Sequence, residues 1–127
     1  MNDDEDIATK RMFDLIDRAF EQLPRQYASA LENVDIGVER TVTTQDRRRL
    51  RIGNATLYGL YEGVPLTQRG AYYDRVLPDR ITLYWGPLMR DFPDDGRLAD
   101  QVRKTLFHEI AHYFGMSEGD LHGTSVR

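Results

Sequence analysis

The feature that most limits how this chain can fold is its last helical pattern. Leu98, Val102, Leu106, Ile110 and Phe114 recur at four-residue steps, which places them on one side of an α-helix. In "TLFHEIAHYFG" few charged residues remain besides Glu109, so the C-terminal half of this helix should be buried on most of its circumference. Asp94 or Asp95 can cap its start. Such a helix needs cover from the rest of the chain, and 127 residues suffice for one core but are too few for two. The expectation is a single domain over residues 1–127, with about the first six frayed, built around a central helix near the C-terminus.

The remaining pattern supplies that cover. Ile7, Met12, Leu15, Ile16, Ala19, Phe20 and Leu23 recur at helical spacing. Pro24 ends this helix and can open a short second one, with Tyr27, Ala30 and Leu31 turned inward. From "NVDIGVER" the period changes to two, with Val34, Ile36 and Val38 on one face of a strand. "LYGLYEGVPLTQRG" reads as a strand running into a loop, because Gly63, Pro65 and Gly70 interrupt it. The clearest strand is "RITLYW", Ile81 to Trp85, closed by Gly86 and Pro87, with a short helical turn expected around Leu88 to Asp91. N-terminal helices, a short mixed sheet and a central C-terminal helix make an α+β arrangement.

Composition narrows the function. Seventeen basic against 21 acidic residues give a net charge of -4, which argues against a general nucleic-acid binder, since that affinity rests on neutralising phosphates. The one basic cluster, Arg47 to Arg51 within "DRRRLR", is expected in a solvated loop or hairpin tip. There is no cysteine, so neither a disulfide nor a thiolate metal site can form, and a cytoplasmic setting fits. The acidic N-terminus does not read as a secretory signal, and no apolar run approaches the roughly 18 residues of a membrane span. Any metal must sit on histidine, aspartate or glutamate.

All three histidines, His108, His112 and His122, fall in the last 20 residues. Residues four apart share a helix face, so His108 and His112 can direct two imidazoles at one ion. Glu109 is turned by roughly 100° around the helix, which sets its carboxylate beside that ion as a base rather than a ligand. A catalytic site takes a third protein ligand and leaves one position open. Gly115, three residues past His112, can end the helix in a left-handed conformation and turn the chain back. Glu118 lies six residues past His112, Asp120 eight and His122 ten. Histidine is the better ligand type, but the helix already fixes the metal position, so spacing ranks Glu118 first and Asp120 second.

At this point the sequence resembles a known family. "HEIAHYFGMSE" is similar to the extended zincin motif H-E-x-x-H-x-x-G-x-x-[HDE], and its glycine and close third ligand resemble the metzincin clan. It departs from metzincins in having Glu118 where a histidine is usual, and Met116, which precedes that ligand, is not the methionine of a Met-turn. The closer similarity is to the small bacterial zincin-like metallopeptidases, or minimal zincins. "LYGLYEGVPLTQRG", "LPDRITLYWGPL" and "QVRKTLFHEIAHYFGMSE" look like that family's segments in that family's order, from about Phe13 onward.

The resemblance implies a small zincin-like fold and a zinc-dependent peptidase, with Zn2+ on His108, His112 and Glu118 and with Glu109 as catalytic base. The expected reaction is peptide-bond hydrolysis by metal-activated water. Tyr72, Tyr73 or Arg69 could add an oxyanion donor. Zincins commonly align substrate as an extra strand along a sheet edge, and "RITLYW" is either such an edge or a fully paired inner strand. The partner is then a peptide or protein, with no membrane. Two alternatives stand beside this reading: a non-catalytic metal-binding interaction module, and a metallohydrolase of a non-peptide substrate such as RNA, which would need the Arg47 to Arg51 run near the metal.

Overall fold

The computed structural model describes residues 3–63 and 79–115. Among them are α1 (Asp3–Glu21), α2 (Arg25–Ala30), β1 (Val34–Glu39), α3 (Thr44–Leu50), β2 (Gly59–Glu62), β3 (Asp79–Tyr84), α4 (Trp85–Asp91) and α5 (Asp95–Tyr113). The α+β class and the C-terminal helix match the sequence reading. The strands form one mixed sheet in the order β1-β3-β2. β1 runs parallel to β3, pairing Val34 with Asp79 through Glu39 with Tyr84, whereas β2 runs antiparallel, pairing Gly59 with Leu83 and Glu62 with Arg80.

This order decides the role of "RITLYW": β3 is the inner strand, paired on both sides, and β2 is an edge among the described residues. Successive side chains of a strand point to opposite faces. Ile81 and Leu83 enter the main core with Met12, Leu15 and Ile16 of α1 and Leu98, Val102 and Leu106 of α5. On the other face Tyr84 joins Val42 and Leu57 in a smaller cluster, flanked by Leu50, Ile52 and Leu60. Burial on both faces is why β3 reads as a nearly unbroken apolar run. Trp85, expected in the strand, already belongs to α4.

α5 has the length and the burial that its pattern requires. Asp94, not Asp95, caps it, the Asp94 carboxylate accepting from the backbone N–H of Arg97 at 3.0 Å. Its buried residues widen from Leu98 and Val102 at the start to Thr105, Leu106, His108, Glu109, Ile110, Ala111 and Tyr113 near the end. Leu106 is fully enclosed, so Leu106→Ala should lower unfolding free energy by about 2–5 kcal/mol, read as a lower denaturation midpoint at unchanged slope.

α1 begins at Asp3, and Asp3, Asp4, Glu5 and Asp6 form its first turn, where carboxylates meet the positive end of the helix dipole. One element differs from expectation. The basic run lies in a helix, α3, and not in a loop or hairpin tip. Thr43 caps α3 by accepting from the Asp46 N–H at 3.0 Å, and Arg51 ends it in the left-handed region at φ 57°. Arg47 spans the following turn, donating to the carbonyls of Gly53 and Ala55 at 2.8 Å each. No helix among the described residues is long and apolar enough to cross a membrane.

Candidate metal centre

The last turns of α5 are positioned from three sides. α1 packs along the helix. β2 crosses it, and Tyr61 meets Tyr113 edge-on with ring centres 6.0 Å apart. From α2, the ring of Tyr27 lies edge-on to Phe114 at 5.3 Å, and the Tyr113 hydroxyl donates to the Ala30 carbonyl at 3.2 Å. The helix then stops as its sequence predicts. Gly115 takes the left-handed conformation at φ 80°, and its N–H donates to the His112 carbonyl at 2.9 Å.

Within this frame His108, Glu109 and His112 come together, and the atoms they offer a metal all lie within 4.8 Å of one another. The two imidazoles are 4.5 Å apart between ring centres and inclined at 63°. His108 and Glu109 are each 2% exposed, while the His112 side chain keeps 23% of its surface open. Solvent therefore reaches this group at His112. A Glu109 carboxylate oxygen lies 3.3 Å from His112 Nδ1. When neutral His112 donates that Nδ1–H, its Nε2 keeps the lone pair that a metal needs.

Two imidazole nitrogens and a carboxylate are a donor set suited to a divalent transition ion. Burying His108 and Glu109 together, with His112 beside them, is costly unless they are paired or hold an ion. Their chemistry and mutual distances thus fit a metal cofactor. Glu118, Asp120 and His122, the candidates for a further ligand, lie outside the described residues, as do Arg69, Tyr72 and Tyr73.

The described residues beside and beyond Glu109 include polar ones that the sequence reading did not single out. Thr105 is buried four residues before Glu109 and accepts from Gln101 Nε2 at 3.0 Å. Asp79, at the start of β3, is 1% exposed and accepts from the Tyr61 hydroxyl at 3.1 Å. Gly59 of β2 lies against Thr105 and Glu109, so near that a β-carbon would fall 2.7 Å from Thr105 Cγ2. A glycine inside a strand pattern is itself a sign of such an approach. The start of β2 is anchored as well, since Tyr58 donates to Asp91 at 2.6 Å. Hydrogen bonds from Arg90 and then from Tyr58 hold the Asp91 carboxyl at about 2, below the usual carboxylate range.

Comparison with known proteins agrees with this architecture. A conserved hypothetical protein from Thermo thermophilus has a similar solved structure, with a TM-score of 0.57 and 20% sequence identity over 87% of this chain and 97% of that one. At that identity the likeness concerns the fold. No curated protein matches the sequence. The family model described as zincin-like metallopeptidase matches residues 31–126, a span from the residues just before β1 to beyond the end of α5 that includes the whole His-Glu-His group. The chain belongs to the zincin-like metallopeptidase family.

Proposed function

We propose that this protein is a zinc-dependent metallopeptidase that hydrolyses peptide bonds with Glu109 as general base. The observation that carries the reading is the convergence of His108, Glu109 and His112 on the buried end of α5, their donor atoms within 4.8 Å. His108 and His112 would hold the ion with Glu118 as third ligand, so that two neutral imidazoles and one carboxylate would leave a formal charge near +1. Bound zinc supplies Lewis acidity, which makes a water more acidic and polarises a substrate carbonyl. Glu109 takes the proton of the attacking water and later passes it to the leaving amine. Its place beside His112 and next to β2 suits that transfer.

β2 offers the substrate a place. It is an edge strand among the described residues and crosses α5 at the level of Glu109, so an extended peptide that adds to it is brought past the base. The partner is thus a peptide or unfolded protein segment. Two arginines of the basic run that an RNA-directed reading would need are engaged within the fold, Arg47 with Gly53 and Ala55 and Arg49 with Asp46 and Glu62.

Metal removal tests the proposal. Dialysis against a strong chelator should abolish cleavage of an unstructured protein, and one equivalent of zinc should restore it. Cleavage that persists in demonstrably metal-free protein would reject a metal-dependent mechanism. Zinc binding without any cleavage would leave a metal-binding interaction module.

A further inference from the structure

We propose that Gly59 is a positioning residue: its bare α-carbon lets the edge strand β2 settle on α5 and thereby fixes where the Glu109 carboxylate stands. This rests on the peptidase reading for its consequence, but the contact itself does not. A β-carbon at Gly59 would lie 2.7 Å from Thr105 Cγ2, 2.9 Å from Leu83 Cδ2 and 3.3 Å from Glu109 Cγ. Carbon atoms pack best at about 3.5–4.0 Å, so all three contacts are too short and two of them severely.

β2 has little freedom to retreat from an added methyl. Just before Gly59, Tyr58 is tied by its hydroxyl to Asp91 at 2.6 Å and by its carbonyl, which accepts from the Tyr84 N–H at 2.9 Å. Just after it, Gly59 to Glu62 are paired with β3. Tyr61 is held between Tyr113 and Asp79. Thr105 is held in turn by Gln101 at 3.0 Å. Leu83, 0% exposed in the main core, has no open space into which to turn its Cδ2. With strand, threonine and leucine all hemmed in, part of the strain passes to the Glu109 stem. Gly59 therefore sets the distance between the strand that would align a substrate and the base that would act on it.

The test compares wild type, Gly59→Ala and the double variant Gly59→Ala/Thr105→Ser. Serine removes the Cγ2 at the closest contact while keeping the hydroxyl that Gln101 uses. The first readout is the side-chain carboxylate 13C resonance of Glu109 in metal-free protein, assigned by its loss in Glu109→Gln. Gly59→Ala should displace it, and the double variant should return it toward the wild-type position. The second readout is turnover by zinc-loaded protein. Gly59→Ala should lower kcat by on the order of tenfold to a hundredfold, with KM and zinc affinity unchanged, as expected for a small misplacement of a reacting group. An undisplaced resonance, or an unchanged kcat, overturns the proposal. So does a loss of kcat matched by an equal loss of zinc affinity, which reports damage to the whole metal group. If wild type binds zinc but cleaves nothing, the peptidase reading fails alone and the resonance still decides the role of Gly59. If Gly59→Ala does not fold, the double variant is compared with Thr105→Ser by the same two readouts.

Discussion

Glu109→Gln should leave the protein folded and zinc-bound while lowering cleavage of an unstructured protein by on the order of 10²–10⁴-fold, the usual worth of a positioned general base. The substitution is nearly isosteric, so the stem keeps its place beside Gly59 and Thr105. A glutamine oxygen can still accept from His112 Nδ1, which sits 3.3 Å from the native carboxylate. What disappears is the ability to take a proton. His112→Ala should behave differently and lose zinc and hydrolysis together, because it deletes a ligand. Metal content by mass spectrometry beside a cleavage assay separates the two cases. Undiminished cleavage by Glu109→Gln would remove Glu109 from the role of base.

Glu118→Ala should weaken zinc binding far more than Asp120→Ala, by more than the roughly 10–100-fold that loss of an outer partner costs. The physical basis is the way α5 ends. Gly115, three residues after His112, takes the left-handed conformation, and Glu118 follows three residues later in sequence. With an ion proposed on His108 and His112, the carboxylate nearer to them in sequence is the expected third ligand. Competitive zinc titration of both variants decides the matter. If Asp120→Ala proves the more damaging, the third ligand is Asp120.

Much of this was legible because it rests on local rules. Four-residue spacing gave α5 and aligned His108 with His112, and glycine at the helix end signalled the turn at Gly115. The density of apolar residues around Glu109 foretold burial, because only an enclosed helix carries so few charges. What escaped the sequence was non-local. Nothing in "RITLYW" says whether its neighbours lie on one side or both, so the inner position of β3 and the edge position of β2 emerge only from the sheet. The basic run misled because its charge hid a helix, although Thr43 three residues before Asp46 was an N-cap signal in plain view. Thr105 was spaced to stand beside Glu109, yet its importance depends on Gly59, which is 46 residues earlier and meets it only through the crossing of β2 over α5.

The bracing of α5 by α2 has a practical meaning for anyone who would isolate the chemistry. The family match starts at residue 31, one position after Ala30, whose carbonyl receives the Tyr113 hydroxyl, and beyond Tyr27, whose ring supports Phe114. A fragment trimmed to the matched span would keep every residue of the motif. It would also bare the apolar side of α5 that Met12, Leu15 and Ile16 cover and loosen the helix end next to His112. The smallest folded unit is therefore set by what props the last helix, and α1 and α2, though outside the matched span, cover and brace it.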